Sequence, residues 1–266
     1  MSSSRDLTHP SACITVSIVS HGHGQQVQTL VKQVLADPLV ARLVLTLNIP
    51  ETLSLPDDDR LLLIQNSVPK GFGANHNRAY QHCETAYYCV LNPDIVLYDD
   101  TFATLLSTLT QEQAGVTGPL VLSPFGQQED SWREFPTLWS LFLKAMGRDT
   151  TIIDRVGSEV GSGSESAVYP GWVAGMCMLF DARHYAAVGG FDERFFLYYE
   201  DVDICARLWN KNRPVVASPK ARVIHAAQRA SRRQWQHMKW HAKSMATYLL
   251  RYSFRIPRTR KQDTKS

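Results

Sequence analysis

No apolar run in the 266-residue chain approaches the ~20 residues of a membrane-spanning helix, which excludes an integral helical membrane protein from the expected classes. The opening stretch, MSSSRDLTHPSAC, is polar and has none of the apolar core of a secretory signal. Cysteine is sparse: Cys13, Cys83, Cys89, Cys177 and Cys205 are scattered, mostly inside apolar segments, and never in CxxC spacing. That excludes a zinc-ribbon or disulfide framework and predicts reduced core thiols in a cytoplasmic protein. No internal repeat is visible. Acid is nearly missing from one region only. From Arg229 to Ser266 there are eleven basic residues against the single acid Asp263, a charge of +10. The preceding residues carry seventeen basic and twenty-four acidic side chains, a charge of −7. The net +3 therefore belongs to the tail, which needs its own explanation.

What is present is a globular composition, 44% hydrophobic and 20% charged. CITVSIVS (13–20) is a β-branched run that ends at the glycine-loosened HGHG, the pattern of a buried strand and its turn. Gln25 to Ala36 places Val27, Leu30, Val31, Val34 and Leu35 at helical spacing. VARLVLTLN (40–48), LLLIQN (61–66) and AYYCVLNPD (86–94) read as further strands, with GFGANHNRAYQHC (71–83) and 101–109 as helices. This alternation implies an α/β fold, a parallel sheet with helices on both faces. Beyond it, GVTGPLVL (115–122) is a possible strand and SWREFPTLWSLFLKAMG (131–147) a loop leading into a helix. VGSEVGSGSES (156–166) is a Gly/Ser-rich stretch, WVAGMCMLF (172–180) is apolar, and RPVVASP and ARVIH read as two short strands.

Ligands of a parallel sheet bind beyond the carboxyl ends of its strands. Those ends read Ser20-His21, Asn48, Asn66 and Asn92-Pro93-Asp94, all polar and all directed at one crevice. Asp94, a lone carboxylate at a buried strand tip, is placed to coordinate a hard cation such as Mg²⁺ or Mn²⁺; an ordinary Asn-Pro-Asp turn is the plainer reading. GFGANHN begins a helix with two glycines, as a phosphate cradle does, but has neither the dinucleotide nor the Walker spacing. The most awkward stretch is FFLYYEDVD (195–203). It crowds Glu200, Asp201 and Asp203 behind four aromatics, where repulsion and an apolar neighbourhood both oppose ionisation. An acidic helix start favoured by the macrodipole is one account of it.

The order SIVSHGHG, GFGANHN, LNPD, GWVAGMCMLF, GGFDERFFLYYEDVDICARL and VIH resembles family 2 glycosyltransferases of the GT-A fold. Within them it is most similar to the bacterial rhamnosyltransferases that build O-antigen and related polysaccharides on a lipid carrier, and REFP (133–136) resembles that subgroup too. The resemblance spans residues 13–228 and implies a GT-A-type, mostly parallel mixed sheet. It leaves a polar segment at 1–12 and a basic helix and tail at 229–266. It implies an inverting transfer in which Asp201 is the general base and Glu200 orients the acceptor or tunes Asp201. Asp203 and Arg207, four residues apart, are expected to pair with each other. By the same carry-over Asp94 and His225 hold the metal, and Ser20, His21, Asn48, Asn66 and Asn92 line the nucleotide pocket. Gly71, Gly73 and Asn77 fall on the phosphate side, and Trp172, Gly175 and Tyr199 in the donor-sugar and acceptor cleft. The implied donor is dTDP-rhamnose and the implied acceptor a polyprenyl-diphosphate-linked saccharide.

Two departures from the family pattern stand out. The Asp-Asn common at the end of the second strand is Leu47-Asn48 here, and the Asp-x-Asp metal motif is reduced to Asn92-Pro93-Asp94. A nucleotide-sugar-binding or scaffold protein with a decayed site is therefore the alternative. The intact acidic cluster at 200–203 weighs against it. In the tail, Trp235, Met238, Ala242, Met245, Leu249 and Tyr252 share one face of a helix predicted from about Ser231 to Phe254, flanked by Arg232, Arg233, Lys239, Lys243, Arg251 and Arg255. Such a helix either packs its stripe on the domain or lies on the anionic inner face of the cytoplasmic membrane, where a polyprenyl-linked acceptor resides. Its aromatics follow helical spacing and form no stacking platform, so nucleic acid is not an expected partner.

Overall fold

A computed structural model describes residues 12–137, 166–226, 234–252 and 259. The expectations for the N-terminal polar segment, for most of the helix within 131–147, for the Gly/Ser-rich run and for Arg232, Arg233 and Arg255 lie outside the described residues, as does the side chain of Trp235.

The first part of the chain runs β1 (Ile14–Ser20), α1 (Gln25–Ala36), β2 (Val40–Leu47), β3 (Leu61–Gln65), α2 (Phe72–Tyr80), β4 (Tyr87–Leu91), β5 (Ile95–Leu97), α3 (Thr101–Gln111) and β6 (Val116–Leu122). It continues with β7 (Trp132–Arg133), β8 (Trp172–Val173), β9 (Cys177–Asp181), α4 (Ala182–Ala187), α5 (Glu200–Asn210), β10 (Val215–His225) and α6 (Gln234–Tyr252). Eight strands form one sheet in the order β3-β2-β1-β4-β9-β6-β10-β5. β1 to β4 are mutually parallel, as the alternation of strands and helices requires. β9 enters antiparallel between β4 and β6, and β5 pairs antiparallel with β10, which gives the mixed, mostly parallel sheet.

One reading changes and one is refined. RPVVASP and ARVIH are one strand, because β10 keeps its pairing to β6 through a register slip between Ser218 and Arg222. A bulge of this kind bends a strand without ending it. WVAGMCMLF divides into β8, which pairs with β7 in a separate ribbon, and β9 in the main sheet.

The pleat sends alternate residues of β4 to opposite faces. Cys89 and Leu91 pack with α1 and α3, while Tyr88 and Val90 pack with Tyr185 of α4, Val202 of α5 and Tyr248 of α6. β4 has both faces covered, as parallel strands require.

α6 docks through Ser244, Tyr248 and Tyr252, all buried. The apolar stripe expected from the sequence is therefore split. Tyr252 is buried and Leu249 half-buried against the core, whereas Met238 remains 59% exposed and Ala242 exposed. Leu250 is 88% exposed and Lys239 and Lys243 also face outward. Beneath the helix lies Asp203, which has no solvent exposure. Its carboxylate accepts from Arg207 Nε at 2.8 Å, the expected pair, and from the Tyr252 hydroxyl at 2.8 Å, with Arg251 Nη1 3.1 Å away.

His76 on α2 is buried between β1 and Phe191, with Nδ1 2.8 Å from Ser17 Oγ and Nε2 without a partner. Burial pushes its pKa down from 6.5 to about 3. An unfolded chain therefore binds the proton more readily, and stability present above pH 6.5 is lost as pH falls toward 3. Urea midpoints are expected to fall between pH 7.5 and pH 5 in the wild type and to fall less in His76→Leu; equal slopes would assign the acid sensitivity elsewhere.

Candidate active site

β1, β2 and β3 end in register, Ser20 beside Leu47 and Leu47 beside Gln65, so the polar residues after them meet. Asn48 is their hub. Its Oδ1 accepts from Lys70 N at 2.8 Å, Asn66 Nδ2 at 2.9 Å and Asn75 Nδ2 at 3.1 Å. Its Nδ2 donates to Lys70 O at 3.0 Å and lies 3.2 Å from His21 Nδ1. Asn66 also accepts from Arg78 and donates to Asn75. These buried amides saturate one another and fix the 67–71 loop over the strand ends. Ser20 Oγ sits 3.4 Å from His23 Nδ1, and the HGHG turn directs the Gly22 and Gly24 N–H groups at the Glu51 carboxylate.

The glycines of GFGANHN serve close approach. A Cβ on Gly71 would lie 2.7 Å from Phe196 O, and one on Gly73 2.7 Å from Phe191 Cβ. Asn77 is likewise committed to that loop. It accepts from Phe191 N and the Tyr185 hydroxyl and donates to Phe191 O and Glu193. This face of α2 holds the 190–196 segment, a different neighbourhood from the phosphate side expected of it.

β9 starts beside the end of β4, with Asn92 N donating to Met176 O at 2.9 Å. β10 ends opposite Ile95, which sets His225 against Asp94. The two residues 131 apart in sequence thus meet, His225 Nε2 lying 3.2 Å from Asp94 Oδ2. Nδ1 is held by Glu129 at 2.8 Å, a partner with no signal in the sequence. Hydrogen bonding to Asp94 raises the His225 pKa to about 9, against the opposing effect of burial and with Glu129 adding to it. Burial pushes the Asp94 carboxyl up, but the His225 bond and charge outweigh it and leave the group below its usual value. Asp94 Oδ1 is buried and unpartnered. Among the described residues no three His, Cys, Asp or Glu side chains are arranged to hold a metal, so Asp94 and His225 form a two-ligand site at most. The orphan oxygen, the facing Nε2 and the Glu129 carboxylate behind the ring are the donor set of such a site, in which an outer carboxylate commonly orients a ligating imidazole.

The acid pair lies at the start of α5. Tyr198 and Tyr199 both take left-handed backbone, φ 72° and 68°, and α5 starts immediately after them. Asp201 Oδ2 accepts from Gly175 N at 3.0 Å and Oδ1 from Val202 N at 2.8 Å. Both acids face a cavity of about 350 Å³ walled by Trp172, Tyr199, Arg133, Glu134 and His241. Trp172 is fixed there by its indole N–H on Glu134 O at 3.1 Å. Burial and the neighbouring Asp201 charge push Glu200 well above the usual carboxyl range, and its Oε2 is buried without a partner. Enclosure by protein also raises Asp201, but its two backbone N–H donors favour the ionised form. Both acids are thus raised, Glu200 the further, and backbone donors offset part of the rise at Asp201.

Of the predicted residues, Glu200, Asp201, Trp172 and Tyr199 share one pocket, Gly175 touches it through its N–H on Asp201, and Asp94 and His225 share a second cluster. Asn75, His23, Glu129 and His241 were missed. Asn75 stood inside GFGANHN, where any of three amide or imidazole side chains was a candidate, and His241 lies on a helix whose docking face could not be read from its stripe.

Residues 14–245 match the family described as glycosyltransferase like family 2. The chain is 26% identical over 260 residues, 90% of its length and 93% of the relative's, to rhamnosyltransferase WbbL of Escherichia coli K12. It is 33% identical over 169 residues to the N-acetylglucosaminyl-diphospho-decaprenol L-rhamnosyltransferase of Mycobacterium tuberculosis, covering 60% of this chain and 53% of that one. Its fold is similar to that of GalNAc-T7, solved with UDP, GalNAc and Mn²⁺, at a TM-score of 0.62 and 14% identity over 83% of this chain and 44% of that chain. The GT-A-type fold expected from the motifs is the fold observed.

Asn48→Leu should strip Lys70 N and two amides of their acceptor, at roughly 1–3 kcal/mol for each buried donor left unsatisfied. Urea unfolding is expected to show a loss in that range or larger, and a wild-type midpoint would mean that the cluster rearranges around the leucine.

Proposed function

Because the chain belongs to the glycosyltransferase like family 2, we propose that it is an inverting rhamnosyltransferase acting on a lipid-linked saccharide in cell-surface polysaccharide synthesis. The observation that carries the reading is the Glu200–Asp201 pair on the wall of a cavity large enough for a sugar, with two backbone N–H donors on the Asp201 carboxylate and Glu200 Oε2 left without a partner. Asp201 takes the proton of an acceptor hydroxyl as that oxygen forms a bond to the anomeric carbon of the donor sugar. The bond from that carbon to the diphosphate breaks, its electron pair leaving with the nucleoside diphosphate, and the configuration inverts. Glu200, protonated, donates a hydrogen bond that orients the acceptor, and Trp172 and Tyr199 offer apolar faces to the sugar.

The donor, dTDP-rhamnose on this reading, lies across the carboxyl ends of β1 to β4, against Ser20, His21, Asn48 and Asn92. Its diphosphate reaches the Asp94–His225 pair, which would hold Mg²⁺ or Mn²⁺ together with diphosphate oxygens. A divalent ion held there would supply Lewis-acid neutralisation of the charge on the leaving diphosphate. Support for the pair as ligands is the unpartnered Asp94 Oδ1 and the Nε2 that faces Asp94. The two relatives named above are rhamnosyltransferases, and the mycobacterial name gives its acceptor as a diphosphodecaprenol-linked N-acetylglucosamine. These names support the choice of donor and acceptor class.

Asp201→Asn is expected to lower rhamnose transfer from dTDP-rhamnose by about 10²–10⁴-fold, the usual contribution of a positioned base, with donor affinity retained. Near wild-type transfer would remove Asp201 from the role. Metal-stripped protein should lose activity and recover it with Mn²⁺ or Mg²⁺.

The acceptor class calls for contact with a membrane, and among the described residues no helix is long and apolar enough to cross one. We assign contact with the inner face of the cytoplasmic membrane to the outward side of α6, where Met238 and Leu250 are exposed beside Lys239 and Lys243. Anionic lipid attracts each basic residue near its surface by about 1 kcal/mol. Co-sedimentation with anionic vesicles is expected to exceed that with neutral ones, to fall with salt and to weaken in a Met238→Ser, Lys239→Glu, Lys243→Glu, Leu250→Ser variant. Indifference to anionic vesicles at low salt would remove the membrane role.

A further inference from the structure

Left-handed backbone costs a non-glycine residue about 1–2 kcal/mol, and two in succession persist only where the surroundings over-determine them. Tyr198 and Tyr199 are such a pair, and the two residues after them are Glu200 and Asp201. The turn therefore decides where α5 begins and where both acids point. Its own neighbourhood contributes Phe72 N on Phe196 O at 2.9 Å and Asp203 N on Tyr199 O at 2.9 Å.

A series of side-chain contacts comes from α6. Tyr198 Oη is 2.9 Å from His237 Nδ1. The His241 ring lies 5.4 Å from the rings of both Tyr198 and Tyr199. Ser244 Oγ donates to Leu197 O at 2.9 Å, the Tyr248 ring is 5.4 Å from that of Tyr199, and the Tyr252 hydroxyl donates to Asp203. Positions 237, 241, 244, 248 and 252 fall at intervals of three and four, so successive turns of one helical face touch successive residues of the catalytic segment. His241 also lines the cavity that Asp201 faces.

We propose that α6 is the positioning element of the acceptor site: Ser244 and Tyr252 hold the strained tyrosine turn that aims Asp201, and His241 supplies a wall of the acceptor cavity. This rests on the reading of Asp201 as the base. It makes the C-terminal helix part of the active site, where the sequence offered it only as a membrane contact or as packing. It also predicts that acceptor use, and not donor binding, depends on α6, because its contacts fall on the 196–203 segment and none of those given above reaches the Asn48 cluster.

Two measurements on the full chain test it, with dTDP-rhamnose as donor and a short-chain polyprenyl diphosphate-linked N-acetylglucosamine as acceptor. Amide exchange across residues 196–203 should quicken in a Ser244→Ala, Tyr252→Phe double variant. Its kcat for transfer should fall by about 10–100-fold, the effect of a reacting group displaced by an ångström or less. Donor KM and donor-binding stoichiometry should stay at wild-type values, so the loss cannot come from unfolded protein. His241→Ala should raise acceptor KM and leave donor KM unmoved. Unchanged exchange in the double variant, or quickened exchange with wild-type kcat, overturns the proposal. A wild type that transfers no sugar sinks the reading of function instead, and exchange alone then decides whether α6 holds the turn.

Discussion

A carboxylate with no access to water must find all its hydrogen bonds in protein, and Asp203 is in that position. Arg207 is one turn along the same helix and meets it by local geometry alone. The remaining acceptor capacity is taken by Tyr252 and Arg251, from the far end of the described chain. Removing one side of a buried pair leaves an uncompensated charge and costs about 3–5 kcal/mol, far more than an exposed pair is worth. α6 therefore cannot leave the domain without exposing this mismatch, and the arrangement at the start of α5 follows from its staying.

The crowded acids at 200–203 are resolved by giving each a separate environment. Asp203 points into the protein and is neutralised by arginine. Glu200 is buried without a cation, which pushes its carboxyl well above the usual range. Asp201 turns toward the cavity and receives two backbone N–H groups. One of these comes from Gly175, just before β9, where an added Cβ would stand in ordinary contact with Phe72 and Asp201 at 3.4 and 3.6 Å. Repulsion among three charges is reduced, because arginine neutralises Asp203 and burial disfavours ionisation of Glu200. The helix dipole, offered from sequence as an alternative account, is compatible with this and adds to it.

The strand ends divide into a rigid part and a reactive part. Around Asn48 every amide is spent on another amide or on the 67–71 backbone, which shapes the crevice floor. Around Asp94 one oxygen is left without a partner in protein. A saturated network fixes geometry, and an unsaturated buried oxygen marks where a ligand has something to gain. His225 stands beside Asp94 because it is the last residue of a strand that pairs antiparallel with β5, the segment following Asp94.

The sequence by itself determined the sheet of the first half, since alternating β-branched runs and helical stripes are local signals that tertiary packing had no reason to override. It also determined the Asp203–Arg207 pair, a matter of spacing along one helix, and the motif order that marks the family. It could not determine that ARVIH and RPVVASP are one strand, because a bulge is decided by the partner strand. Nor could it assign Asn75 over Asn77: both lie in GFGANHN, but one faces the strand ends and the other the 190–193 loop. Glu129 was invisible because its importance lies only in the ring it holds. For α6 the stripe was right as periodicity and wrong as a docking face. The helix buries Ser244, Tyr248 and Tyr252, with hydroxyls that satisfy Asp203 and Leu197 O, and leaves Met238 to solvent. Hydrophobicity alone did not single out this face, which combines the Tyr248 and Tyr252 rings with the hydrogen bonds of Ser244 and Tyr252.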